Sequence, residues 1–343
     1  MTDHMKEIDT RLVYGFLDAG KTTYIKEAIR DDLFYKRGKT LIICFEQGEE
    51  EYDDKALAEK NSAVLYFDEE AMAGEDGGSG GTDVLVKRFC SKSIEEYQPD
   101  RIYVEMNTMM QDLRSMLPEC MRVTFAAALI DWTTMPVYYV NFMQMMKQMV
   151  SESNQITFRG CPSADLLAPY SQAFRLMNPK ASYLRQDPMG YHERAFDMFL
   201  PFTLEDSEIM INESRFLPLW LDALDHPEHY DGKKISFRDP LELRRKEGSL
   251  YSCGRVVMTC CMADLQFMAF DIENVEHARG AESIDESDLP DGSWVTVDAL
   301  ARVVNESYGQ RKIKLSAESV SPAQPPKDLI LDGRRQNMDD QSK

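Results

Sequence analysis

The sequence predicts an α/β domain with a mostly parallel sheet, joined to a smaller all-β domain of OB-like type. Three observations carry this reading. Up to about residue 185, short apolar runs alternate with segments of helical spacing, the pattern of a parallel sheet with helices on both faces. Some runs, such as KTLIICF at 39–45, are apolar throughout, as a strand buried on both faces must be. Beyond about residue 205, short strands separated by turn-forming residues take over. With 343 residues, and about 100–200 residues per domain, two domains are expected. We place them at 10–190 and 205–332, with a polar tail at 333–343 expected to be disordered.

The elements follow in order. Residues 11–15 (RLVYG) read as a strand ending in glycine. The segment 24–34 repeats Ile25, Ala28, Ile29 and Leu33 at helical spacing. Strand 39–45, a polar helix over 50–60 and strand 62–67 come next, then a glycine-rich acidic loop at 75–83 and an amphipathic helix over 84–97. Strands are predicted at 101–106, 122–132 and 155–158. One apolar-faced helix is predicted over 136–150 and another over 164–177. In the second half, 216–226 reads as a short helix. Strands are expected at 235–237, 251–263, 265–272, 293–304 and 311–320.

The first strand runs into Gly15-Phe16-Leu17-Asp18-Ala19-Gly20-Lys21-Thr22-Thr23, which fits G-x-x-x-x-G-K-S/T without a mismatch and opens a helix. This is the signature of a P-loop. Gly15 and Gly20 let the backbone curl so that the amides of Asp18, Ala19, Gly20 and their neighbours face phosphate oxygens. The helix N-terminus adds its dipole. Lys21 reaches the β- and γ-phosphates, and the Thr22 hydroxyl is placed to ligate Mg²⁺, with Thr23 completing the loop. The expected fold of the first domain is therefore that of a P-loop NTPase, and the expected ligand is GTP or ATP. Glu105, at the tip of the strand 101–106, is the candidate for holding Mg²⁺ through water or orienting an attacking water. The segment 45–54 crowds Glu46, Glu49, Glu50, Glu51, Asp53 and Asp54. Of these, Glu46 and Glu49 are the candidate cation ligands, against the plainer reading of a solvated acidic helix start.

The loop YGFLDAGKTT resembles the GFLGAGKTT loop of the CobW/HypB/UreG group of P-loop GTPases, and of its CobW-like branch in particular. Glu46, Gly48 and Glu49 match that branch's N-E-F-G-E segment, with Phe45 in place of Asn. Glu105 matches its I-E-T-S-G strand end, with Thr108 in place of glycine. The resemblance spans about 10–190 and implies GTP hydrolysis coupled to handling a metal ion or metallocofactor. Two features depart from it. The branch's C-x-C-C motif has no counterpart, and Arg159-Gly160 stand where N-K-x-D would read guanine, with Asp165 further along. Base identity is left open between GTP and ATP. Residues 205–330 resemble the C-terminal β-domain of YcgQ-type permease-associated proteins through Arg255, Thr259, Cys260, Cys261, Ala263, Asp264 and Gln266.

Cys260, Cys261 and Asp264 offer donors for Zn²⁺ or another transition metal. Adjacent strand residues point to opposite faces, so a shared site needs a bulge or turn. The alternative is two buried thiols acting as small apolar groups, with Asp264 starting a turn. His226 and His229 have ligand-like spacing but sit in a polar, proline-containing stretch that reads as surface. The methionines of 143–149 read as helical core.

The seven cysteines, two of them adjacent, do not form the pattern of a secreted disulfide framework. A net charge of −20 repels nucleic acid and favours solubility. No run approaches the roughly 20 apolar residues of a membrane-spanning helix, and a cytoplasmic protein is expected. The expected function is a P-loop nucleotide hydrolase, with Lys21 and Glu105 as its catalytic residues, acting in metal or metallocofactor trafficking on a metalloprotein client. The alternative is a non-catalytic nucleotide-binding adaptor on a membrane permease. A small-molecule kinase would need an arginine-rich lid, which the sequence lacks.

Overall fold

A computed structural model describes residues 7–31, 38–74, 81–110, 112–195, 200–246, 250–259, 262–279, 293–306 and 310–334. The chain divides into two compact units, Met1–Leu166 with Lys180–Phe196, and Leu167–Pro179 with Asp197–Lys343.

The first unit is built in the order β1 (Ile8–Tyr14), α1 (Lys21–Asp31), β2 (Thr40–Cys44), α2 (Asp54–Glu59), β3 (Ser62–Tyr66), α3 (Glu69–Gly74), α4 (Thr82–Tyr97), β4 (Arg101–Glu105), α5 (Leu113–Met116), β5 (Met121–Asp131), α6 (Met135–Asn141), α7 (Met143–Ser151), β6 (Gln155–Arg159), β7 (Ser182–Gln186) and β8 (His192–Arg194). Its eight strands order as β3-β2-β4-β1-β5-β6-β7-β8. Every neighbouring pair is parallel except β7–β8. β2 and β4 are buried at every position, which accounts for their unbroken apolar runs. The chain leaves β1 toward β2 on one side and leaves β5 toward β6 on the other. Their carboxyl ends therefore flank a switch point, where such sheets place ligands. The register brings Val13 and Cys44 alongside Glu105, so the tips of β1, β2 and β4 end level. Beneath them Val13, Ile25, Ile29, Ile42, Tyr103 and Leu129 pack α1 onto the sheet. This arrangement fits a P-loop NTPase.

Two of the helices expected in this unit differ in their bounds. The polar helix expected from residue 50 starts at Asp54, because the Asp53 carboxylate accepts from the amides of Lys55 and Ala56 and so fixes the N-cap there. Residues 50–53 stay outside the helix. The single helix expected over 136–150 is two, broken at Phe142, whose φ/ψ of −128°/36° leave the helical region. Phe142 turns toward the rings of Phe16 and Tyr138, with centroids 6.2 and 5.7 Å away. The acidic loop expected at 75–83 lies outside the described residues over 75–80, and α4 already begins at Thr82. The short strand β8 had no sequence signal beyond three exposed residues.

The second unit contains α8 (Ala168–Met177), β9 (Glu208–Ile211), α9 (Glu213–Asp225), a 3₁₀ turn over Pro227–Tyr230, β10 (Lys234–Arg245), β11 (Tyr251–Met258), β12 (Leu265–Glu273), β13 (Ser293–Asn305), β14 (Arg311–Pro322) and β15 (Ile330–Asp332). Asn212 caps α9 by accepting from the Arg215 amide, so this helix begins before the expected residue 216. The pairings close a ring, β10-β11-β12-β14-β13-β10. Within it β12 and β14 run parallel and the other pairs antiparallel. This is a five-stranded barrel consistent with an OB-like domain. Val295, Val297, Ala299 and Ala301 of β13 are buried at alternate positions and form part of its filling. At Gly254 a Cβ would lie 2.1 Å from the Met268 carbonyl oxygen, so only glycine allows β11 and β12 to approach so closely.

Arg255 is 1% exposed inside this unit. Its guanidinium donates to Glu213 Oε2 at 2.9 Å and to the Asp328 carbonyl at 2.6 Å, and lies 5.6 Å from the Trp294 ring centroid. Arg255→Ala removes these bonds and leaves a void. A loss of about 2–3 kcal/mol in stability is expected, read as a lower urea midpoint. An unchanged midpoint would show that the site collapses or hydrates without cost.

The strand expected to run through 251–263 stops at Met258. The Thr259 amide donates to the Asp264 carbonyl, and the Thr259 hydroxyl to the Asp264 carboxylate, closing a turn. Asp264 therefore serves that turn. Cys260 and Cys261 lie outside the described residues, as do 335–343 of the expected tail. Among the described residues no helix is long and apolar enough to cross a membrane.

Candidate phosphate-binding site

The loop between β1 and α1 has the curled form its sequence predicts. Asp18 (φ 60°) and Gly20 (φ 84°) are both left-handed and bracket Ala19, which turns successive amides to one side. The loop closes through the Ala19 amide on the Phe16 carbonyl, and the helical ladder starts with Tyr24 N donating to Gly20 O. The amides of the first turn of α1 therefore precede any helical acceptor. A Cβ on Gly20 would sit 1.5 Å from Arg159 Nη1, so the glycine supplies room as well as dihedral freedom.

Three contacts brace this loop from outside. Arg159, at the end of β6, donates from Nη1 to the Gly20 carbonyl at 2.7 Å and from Nε to Gln186 Oε1 at 2.8 Å. The Thr108 hydroxyl donates to the Gly15 carbonyl at 2.9 Å and accepts from its amide at 3.1 Å. The Phe16 ring stacks on Tyr138 with centroids 4.0 Å apart and planes 2° from parallel.

Lys21 points back along the loop and is almost fully buried. Its ammonium donates to Gly15 O at 2.9 Å, Phe16 O at 3.0 Å and Glu46 Oε2 at 2.5 Å. Next to it the Thr22 hydroxyl donates to Glu105 Oε1 at 3.0 Å. Glu105 is 3% exposed. It also accepts from the Tyr52 hydroxyl at 2.7 Å and lies 3.7 Å from Cys44 Sγ. Burial, and then the neighbouring Glu105 charge, push both the Cys44 thiol and the Tyr52 phenol well above their ordinary pKa values. Both stay protonated and act as donors to the carboxylate. Glu50 reaches the same helix end, accepting from Thr23 Oγ1 at 3.2 Å and Lys26 Nζ at 2.8 Å. The Lys26 ammonium holds its carboxyl below the usual range.

A cleft of about 200 Å³ opens over these groups, lined by Asp18, Gly20, Lys21, Thr22, Thr23 and Glu105, with Glu46, Glu49 and Glu50 on its other wall. The expected residues Gly15 to Thr23 and Glu105 thus come together. Glu46 joins them, with its carboxylate paired to the Lys21 ammonium. Glu49 is exposed at the lip. Sequence reading missed Tyr52, Cys44 and Thr108 as partners, and treated Arg159 only as the missing half of a base-reading motif. No spacing rule links these residues, because the tips of separate strands bring them together.

No protein family matches the sequence, and no curated protein does. Among solved structures, the chain is similar to the hydrogenase maturation factor HypB from Archaeoglobus fulgidus, at 12% identity over 52% of this chain and 81% of that one, with a TM-score of 0.35. It is also similar to a zinc-bound triple mutant of the YjiA GTPase, at 16% identity over 53% of this chain and 58% of that one, with a TM-score of 0.33. An OBody bound to hen egg-white lysozyme matches at 6% identity over 27% of this chain and 82% of that one, with a TM-score of 0.18. The architecture described above rests on strand order and register.

Proposed function

We propose that the first unit binds a nucleoside triphosphate, GTP in the first instance with ATP as the comparison, and hydrolyses it in the service of metal or metallocofactor handling. One observation carries the nucleotide reading. A loop with left-handed residues at Asp18 and Gly20 leads straight into a helix whose first two residues are Lys21, bonded to Gly15 O and Phe16 O, and Thr22, bonded to Glu105. Amides, an ammonium and a helix N-terminus converge on one cleft, and each favours polyphosphate. The metal-handling part comes from the loop's resemblance to CobW-like proteins.

The donor set suits Mg²⁺. The Thr22 hydroxyl and the Glu105 carboxylate offer hard oxygen atoms side by side, as that ion requires. When bound, Mg²⁺ would offset the negative charge of the triphosphate. Thr22 and Glu105 would hold it from the α1 and β4 ends, and Tyr52 and Cys44 fix the orientation of Glu105. Lys21 supplies the positive charge that meets the phosphates as charge builds on them.

Glu46 competes in this scheme. Its carboxylate occupies the Lys21 ammonium, so phosphate reaches Lys21 only as Glu46 leaves. Glu46→Gln removes a negative charge from the cleft and weakens the competing bond. Triphosphate affinity is expected to rise by roughly tenfold, about 1.4 kcal/mol, with a weaker gain at high salt. Unchanged or lower affinity would show that Glu46 does not contest the phosphate position.

The whole proposal is tested by phosphate release from Mg-GTP and Mg-ATP by the full chain. Turnover that depends on Lys21 is the expected result. Tight binding without turnover favours the adaptor reading, and no binding of either nucleotide ends the proposal.

A further inference from the structure

Away from the phosphate loop, the second unit gathers two histidines and a glutamate on one turn. α9 ends at Asp225, and Pro227 starts a 3₁₀ turn over Pro227–Tyr230. This turn brings His226, Glu228 and His229 onto one patch, with one donor atom from each lying within 4.8 Å of the others. The two imidazole rings stack, with centroids 4.8 Å apart and planes 22° from parallel. His226 Nδ1 is 3.5 Å from Glu228 Oε1. Two ligands at about 2.0–2.1 Å from one tetrahedral cation are themselves separated by roughly 3.4 Å.

The surroundings orient two of the three groups. His229 Nδ1 lies 2.9 Å from Asp222 Oδ2. Asp222 is 4% exposed and also accepts from the fully buried Tyr230 hydroxyl at 2.7 Å. A buried carboxylate on Nδ1 fixes the ring and leaves Nε2 as the outward donor, the arrangement that supports metal-bound histidine elsewhere. Glu228 is held through its other oxygen, since Arg311 Nη2 sits 3.0 Å from Oε2, leaving Oε1 beside His226. An ordinary surface pair of histidines needs neither the buried carboxylate nor the divided glutamate.

We propose that His226, Glu228 and His229 form a site for one divalent transition cation of the zinc type, with the fourth coordination position open. Two imidazoles and one carboxylate suit zinc and its neighbours rather than Mg²⁺ or Ca²⁺. An open fourth position fits a cation that is exchanged or that binds a further donor. The site does not depend on the nucleotide reading, and its test uses no nucleotide.

The experiment is a Zn²⁺ titration of untagged, reduced, full-length protein against a chelating indicator, with Co²⁺ absorption as a second readout. One equivalent that is lost or at least tenfold weaker in both His226→Ala and His229→Ala is the expected result, with Co²⁺ bands free of thiolate charge transfer. Asp222→Asn should weaken Zn²⁺ by about 10- to 100-fold, because the carboxylate that orients the His229 ring is lost. Arg311→Ala removes the bond that holds Glu228 and should weaken Zn²⁺ by less than either histidine change, because Glu228 keeps both its oxygens as donors. His226→Ala alters an exposed side chain, so its result stands even if Asp222→Asn fails to fold. Equal Zn²⁺ binding by wild type and both histidine variants overturns the proposal. So does absence of Zn²⁺ binding by the wild type, or loss of the equivalent only on Cys260→Ser with Cys261→Ser.

Discussion

Lys21→Ala is expected to weaken Mg-GTP and Mg-ATP binding by at least about 30-fold while leaving the protein folded. The Lys21 side chain is 3% exposed, and its ammonium donates to two loop carbonyls and to Glu46. Removing a buried, hydrogen-bonded partner of a charged ligand costs about 2–5 kcal/mol, and each 1.4 kcal/mol is tenfold. The variant adds a second penalty. Glu46, no longer paired, adds its negative charge to a cleft already walled by Glu49 and Glu50. Lys21→Ala combined with Glu46→Gln should therefore recover part of the affinity, a coupling that a double-mutant cycle measures. Isothermal titration of the four proteins checks it. Equal affinity in wild type and Lys21→Ala would remove Lys21 from the site.

Glu105→Gln is expected to act on turnover. The amide keeps the size of the carboxylate and one acceptor oxygen for Thr22 or Tyr52, so the tip of β4 should stay in place. It loses the charge that, on the proposed function, would hold Mg²⁺ beside Thr22 and polarise a water. A fall in kcat of roughly 10²- to 10³-fold is expected, with nucleotide affinity changed by less than about tenfold. Tyr52→Phe removes only the 2.7 Å bond that orients Glu105, and should give a smaller drop of the same kind. Steady-state phosphate release alongside binding titrations separates the two quantities. A loss confined to affinity, with kcat intact, would make Glu105 a structural acid at the sheet edge.

The parts legible in the sequence were those whose physics is local. Gly15 to Thr23 carry their loop in their own dihedral and dipole requirements, so motif and geometry coincide. The apolar runs of β2 and β4 read as doubly covered strands because burial on both faces removes alternation. The strands β10 to β14 were legible from alternation and turns, and the OB-like type expected of them fits the ring they close; the parallel pairing of β12 with β14 was not legible, because it joins strands far apart in the chain. Other features depend on contacts between distant residues. Phe142 broke a helix because an aromatic cluster around Phe16 draws it out. Glu46 read as one of a run of acids, and the sequence had no way to show that the loop after β2 carries it to Lys21. Arg159 looked like the loss of a base-reading residue, and its guanidinium instead ties β6 to the phosphate loop. His226 and His229 read as surface residues and do lie at the surface, but the sequence has no way to show the buried Asp222 carboxylate bonded to His229.

Amide hydrogen exchange across residues 15–23, with and without saturating Mg-GTP or Mg-ATP, tests the central claim most directly. If the backbone between the two glycines holds a polyphosphate, those amides become protected on adding nucleotide, and Lys21→Ala abolishes the protection. Exchange that stays the same throughout this segment with either nucleotide would contradict the account.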